Sequence, residues 1–175
     1  MKTVVVYKSK TGFTKKYADW LAREFSCDLF MKKKISVDTL MKYETIIYGG
    51  GIYAIEINGL SIIKKNYAQL KKKNLIVFAV GTILPRENEL EEIWKKNLSS
   101  EQISNIKLFY FIGGFNYNKL GNGDKLLITL MKRSLKLNKN SDEDTLTMLE
   151  AYNTPTDLTD INDIKPLVDY LKSIS

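Results

Sequence analysis

A chain of 175 residues, 44% hydrophobic and 27% charged, is long enough for one well-buried domain and too short for two of ordinary size. With no histidine and Cys27 as its one cysteine, it excludes Ser–His–Asp and Cys–His catalysis, most zinc and non-haem iron sites, and an intrachain disulfide. A net charge of +7 suits an anionic partner, but Lys32-Lys33-Lys34 and Lys71-Lys72-Lys73 lie at predicted element ends, where lysines are usually solvated, and no nucleic-acid motif accompanies them.

The apolar run Val4-Val5-Val6-Tyr7 predicts a first strand. It leaves through Ser9-Lys10-Thr11-Gly12-Phe13-Thr14 into a helix over residues 13–25, where Phe13, Tyr17, Leu21 and Phe25 share one face at four-residue spacing. Residues 27–31 predict a short second strand, with Cys27 as a buried small hydrophobe. Ser36 then caps a brief helix to Lys42. Residues 44–48 predict a third strand running into a glycine-bearing loop, Gly49-Gly50-Gly51-Ile52-Tyr53-Ala54, after which Leu60, Ile63, Tyr67 and Leu70 mark the buried face of a helix.

Residues 75–80 are apolar without alternation, the pattern of a central parallel strand covered on both faces, and end in Gly81-Thr82-Ile83-Leu84-Pro85. The next helix opens on Glu87, Glu89, Glu91 and Glu92 and closes on Lys95 and Lys96, matching the helix dipole, with Leu90, Ile93 and Trp94 as its apolar stripe. A fifth strand over residues 108–112 ends in Gly113-Gly114-Phe115-Asn116-Tyr117. Residues 138–144 predict an exposed loop. Ile164, Leu167, Val168, Leu171 and Ile174 mark the last helix, which Pro166 requires to begin near Asp163.

Five alternations of strand and helix predict an α/β doubly wound, five-stranded parallel sheet of order 2-1-3-4-5 with helices on both faces. A ligand then lies outside the carboxyl ends of the strands, at the switch between strands 1 and 3, where the glycine-bearing loops converge. The loop at residues 9–14 reads as an anion cradle. It joins a strand end to a helix start, Ser9, Thr11 and Thr14 can each donate to a phosphate oxygen, Gly12 permits close approach, and Lys10 adds charge. The same hydroxyls would also serve as ordinary helix caps. The triphosphatase pattern GxxxxGK[ST] is missing, which disfavours ATP and GTP. Gly49-x-Gly51-x-x-Ala54 fits the loose dinucleotide fingerprint, but the acidic ribose partner expected about 20 residues on would fall near the wholly apolar fourth strand.

Residues 5–21 resemble the flavodoxin signature at every specified position: Val5, Val6, Tyr7, Ser9, Gly12, Thr14, Ala18 and Leu21. The resemblance implies a flavodoxin-like fold and noncovalent FMN, with Ser9, Lys10, Thr11, Gly12, Phe13 and Thr14 at its phosphate. It places Gly51, Ile52, Tyr53 and Ala54 beside the isoalloxazine ring, Tyr53 able to stack on it. Gly81, Thr82 and Ile83, with Gly114, Phe115, Asn116 and Tyr117, complete the enclosure. Many flavodoxins carry a tyrosine in the loop after the fourth strand, where residues 82–86 hold no aromatic.

Residues 113–117, with Asp124-Lys125-Leu126-Leu127 and Met131-Lys132, resemble the insert of menaquinone-dependent protoporphyrinogen dehydrogenases, which are basic flavodoxin-like enzymes. That implies one domain over residues 1–175, with a helical insert at 115–140 between strand 5 and the last helix, and an FMN-dependent oxidoreductase working with a quinone or a redox partner protein. A one-electron carrier and a flavin-free binding module using the basic surface are the alternatives. A cytoplasmic location is expected, with peripheral contact to an anionic membrane as a further option and neither metal nor nucleic acid as partner; no catalytic residue is singled out. In the insert helix, Leu127, Leu130, Met131 and Leu135 predict a packed stripe, Lys132, Arg133 and Lys136 a basic face, and Leu126 and Ile128 additional apolar surface. Net positive charge predicts a flavin potential less negative than that of acidic flavodoxins.

Overall fold

The computed structural model describes residues 1–53, 55–137 and 154–174, with the side chains of residues 127 and 131–137 left out. Strands β1 (Thr3–Lys8), β2 (Asp28–Met31), β3 (Thr45–Tyr53), β5 (Asn74–Gly81) and β6 (Lys107–Ile112) form one parallel sheet in the order β2-β1-β3-β5-β6. The short β4 (Glu56–Ile57) pairs antiparallel with the end of β3. With β4 set aside, this is the expected 2-1-3-4-5 order.

Strand periodicity explains why both faces are buried. Val4 and Val6 of β1, Ile46 and Tyr48 of β3, and Leu75 and Val77 of β5 meet the helices α3 (Ser61–Lys65), α4 (Tyr67–Leu70), α5 (Glu87–Asn97) and α6 (Ser100–Asn105). The residues alternating with them, Val5, Tyr7, Ile47, Ile76, Phe78 and Val80, meet α1 (Phe13–Glu24) and α8, the last helix (Lys165–Ser173).

Several boundaries differ from the sequence reading. Residues 49–53 are strand, not loop: Tyr7 pairs with Gly49, Lys8 with Gly50, and Gly51 with Val80. Glycine is required at 49 for close approach, since a Cβ there would lie 2.0 Å from the Phe78 ring. The helix expected through residues 60–70 breaks at Asn66 into α3 and α4, although Leu60, Ile63, Tyr67 and Leu70 are all buried as expected. The unanticipated α6 opens on a capping box in which Ser99 Oγ accepts from Gln102 N and Gln102 Oε1 accepts from Ser99 N. Ser36 caps the short α2 (Val37–Leu40). A 3₁₀ turn over Ile161–Ile164 precedes α8, which leaves Pro166 in the first helical turn, while Ile174 falls beyond the helix end and is 38% exposed. Cys27 is half-buried, and burial, with the nearby Asp28 carboxylate, pushes its thiol up to about 11.

The insert is anchored at its root. β7 (Gly114–Phe115) and β8 (Thr156–Asp157) pair antiparallel, so the chain that leaves the sheet after β6 returns to the same place before α8. Within the excursion lies α7 (Asn122–Leu137). Its Ile128 lines the central cavity, whereas Leu126 and Leu130 are 61% and 55% exposed, so Leu130 is outside the packed face expected for it. The loop expected at 138–144 and the side chains of Leu127, Met131, Lys132, Arg133, Leu135 and Lys136 lie outside the described residues.

Candidate functional site

β1 ends at Lys8 and α1 begins at Phe13, with Gly12 at its N-terminus in the left-handed region, φ 103. Gly12 brings no side chain, and among the described residues no side-chain cap hydrogen bond is made there, so the N–H groups of the first turn have no helical acceptor. Ser9 Oγ accepts from Gly12 N at 3.0 Å, which folds the loop around the helix end. Thr14 is buried, and its hydroxyl would lie 3.3 Å from a Cβ on Gly51, so the loop touches the end of β3. The Thr11 side chain hydrogen-bonds the Tyr53 phenol, whose pKa is raised chiefly by burial.

Lys10 is already engaged. Its Nζ lies 2.7 Å from both carboxylate oxygens of Asp124, at the start of α7, and 4.3 Å from the centroid of the Tyr53 ring. One face of Tyr53 is thus covered by an ammonium, which restricts the stacking expected of it to the other face.

The strand ends, this loop and the insert enclose a cavity of about 560 Å³. Thr11, Phe13 and Thr14 line one end; Gly51, Ile52 and Tyr53 come from β3; Gly81 ends β5 and Thr82 and Ile83 follow it; Gly114, Phe115 and Asn116 follow β6. Four stretches far apart in sequence therefore share one wall. Ser9, Lys10, Gly12 and Tyr117 stand behind the lining, Tyr117 against α7 with its hydroxyl 3.2 Å from that of Thr129, and Ala54 lies outside the described residues.

Sequence reasoning missed Tyr110, which reaches the cavity from β6. Its ring lies over Gly81, where a Cβ would collide with the phenol, and its hydroxyl donates to Ile83 O. Burial pushes this phenol up to about 12, so it is a neutral donor at ordinary pH. An aromatic therefore does border the loop at residues 82–86, supplied by the neighbouring strand. Ile55, Ile93, Leu120 and Ile128, all apolar and brought in by tertiary folding, also line the cavity and were not among the expected contacts.

A match to the Flavodoxin domain family spans residues 4–142. The chain belongs to that family. Among solved structures, this flavodoxin domain is similar to the Trp repressor binding protein from Bacillus subtilis, at 19% identity over 81% of this chain and 99% of that one, TM-score 0.48. It is also similar to a WrbA-like flavodoxin from Agrobacterium tumefaciens, at 17% identity over 71% and 87%, TM-score 0.46. The two-electron reduced flavodoxin of Megasphaera elsdenii matches at 14% identity over 69% and 89%, TM-score 0.43. No curated protein matches the chain.

The charge around the flavodoxin cavity differs from that of the chain. Glu89, Glu92 and Asp124 line it, and no lysine or arginine does among the described residues. Glu89 Oε2 accepts from Arg86 N at 2.8 Å, fixing the start of α5, and Asp124 is held by Lys10. The lining therefore carries carboxylates although the chain as a whole is basic, at net +7.

Proposed function

We propose that this flavodoxin domain binds FMN noncovalently and passes its electrons to a quinone. The observation that carries the cofactor half is the continuity of the cavity. It runs from an uncapped helix end ringed by Thr11 and Thr14, suited to a phosphate ester, to the glycine-bearing ends of β3 and β5, suited to a flat ring. The flavin supplies reversible uptake of electrons. The chain supplies the N–H groups and hydroxyls that hold the phosphate, and the Tyr110 hydroxyl that fixes the loop beside the ring.

The quinone half is supported by the cavity's apolar rim. Ile55 and Ile83 line it while 47% and 66% exposed, and Leu84 beside them is 73% exposed, so an apolar acceptor would bury surface that now meets water. A second reading, a one-electron carrier to a protein partner, is favoured by the lining carboxylates Glu89 and Glu92, which disfavour added negative charge and lower the potential. Protoporphyrinogen oxidation is the finest form of the proposal and fits the lining least, because that substrate carries two carboxylates of its own. Peripheral membrane contact remains part of the proposal through α7; no helix of the described residues is long and apolar enough to cross a bilayer.

Titration with FMN tests the cofactor half: flavin fluorescence should change with saturation in the micromolar range or below. A protein indifferent to FMN at high micromolar concentration would end it. Rapid reoxidation of the reduced protein by menadione supports the quinone reading. Reoxidation only by a protein partner supports the carrier.

A further inference from the structure

The hairpin that walls the cavity beside the proposed ring turns at a residue unsuited to it. Ile55, which leads into β4, stands where short hairpin connections take Asn, Asp or Gly to reach positive φ. Ile55 has φ 72, in the left-handed region, which crowds a β-branched side chain. Its neighbours are nevertheless in register, with Ile52 paired to Ile57 and Tyr53 to Glu56.

The restraint comes from Asn97, at the end of α5. It is 5% exposed, and both ends of its amide are engaged: Oδ1 accepts from Ile57 N at 2.8 Å, while Nδ2 donates to Ile55 O at 2.7 Å and to Ile93 O at 2.8 Å. One side chain thus grips the strained residue, the strand that follows it and the helix behind. Asn97 does not line the cavity.

We propose that Asn97 is a positioning residue for the cofactor site: by holding Ile55 in the left-handed region it sets where Gly51, Ile52 and Tyr53 stand in the cavity wall. The proposal rests on the FMN reading above. Its physical content is a competition. The backbone preference of isoleucine pulls the turn open, and two hydrogen bonds from a buried amide hold it closed. Glycine adopts φ 72 at no steric cost, so with glycine at this position the clamp has much less to do.

A double-mutant cycle tests it, read by FMN affinity and by amide hydrogen exchange of the ligand-free proteins at Ile52 and Ile57. Asn97→Ala should weaken FMN about tenfold and speed exchange at both amides, because it leaves Ile57 N unsatisfied and frees the turn. In the Ile55→Gly background the same substitution should cost less than about threefold and speed exchange less. Equal costs in the two backgrounds would assign Asn97 to general stability, and no cost in either would remove it from the site; both overturn the proposal. Should Asn97→Ala fail to fold, Asn97→Asp keeps the shape and the acceptor for Ile57 N but cannot donate to Ile55 O at neutral pH, and the same rescue by Ile55→Gly is expected. Indifference of the unmodified protein to FMN overturns the cofactor reading alone; the exchange cycle then still decides the clamp, and failure of Ile55→Gly to relieve it overturns that as well.

Discussion

Lys10 sits in the hydroxyl-rich loop, yet its ammonium is engaged by both oxygens of Asp124 at 2.7 Å. The two side chains are 35% and 27% exposed, so the pair contributes little, on the order of 0.5 kcal/mol, and a phosphate with two negative charges competes with Asp124 for the same cation. Asp124→Asn should therefore tighten FMN binding about threefold at low ionic strength, with the difference closing in molar salt, where the screening length falls to about 3 Å. Weaker binding in this variant would make Asp124 a support of the site instead of a competitor. The loop itself was legible, because Ser9, Gly12 and Thr14 act through residue type and close spacing. The partners were not. Tyr110 meets Ile83 across 27 positions, Asn97 meets Ile55 across 42 and Lys10 meets Asp124 across 114, and no local pattern encodes such contacts.

At the scale of elements, unbroken apolar runs located β1 and β5, which are covered on both faces, and helical periodicity located α1 and α5, which pack an apolar stripe on the sheet. These patterns failed where two signals compete in one stretch. Gly49, Gly50 and Gly51 read as a loop by composition, but ladder pairing with β1 and β5 at Gly49 and Gly50, and with β5 at Gly51, keeps them in β3. In α7 the apolar positions are too many for one stripe, so spacing alone does not say which face is inward. Burial places Ile128 at the cavity and leaves Leu126 and Leu130 in solvent. Leu126→Ser and Leu130→Ser should each alter unfolding free energy by less than about 0.5 kcal/mol and leave FMN affinity unchanged, whereas Ile128→Ser should weaken FMN. A loss above about 1 kcal/mol at Leu126, measured by urea unfolding, would mean that α7 is packed the other way round.

For the whole molecule, strand order followed from the alternation of elements, but the distribution of charge did not follow from composition, since a count of lysines does not say where they gather. The closure of the insert depends on such placement. Asp157 of β8 accepts from the Thr159 hydroxyl at 2.6 Å and the Thr159 N–H at 3.1 Å, and Lys16 of α1 reaches both Asp157, at 3.1 Å, and Thr159, at 2.7 Å. Slight burial pushes the Asp157 carboxyl up, but the bonds from Thr159 and Lys16 outweigh it and hold the group below its ordinary 3.8. A depressed folded pKa means that the native state favours the charged form, so the contribution is complete above the unfolded value and is lost as pH falls through the lower folded one. Asp157→Asn removes this dependence and leaves the other carboxylates unchanged. The stability gap between the two proteins, read as the urea midpoint at constant ionic strength, should stay level from pH 7 to about pH 5 and narrow below about pH 4. A gap that stays constant down to pH 3, or that widens there, would show that the carboxylate does not hold the β7–β8 ribbon to α1.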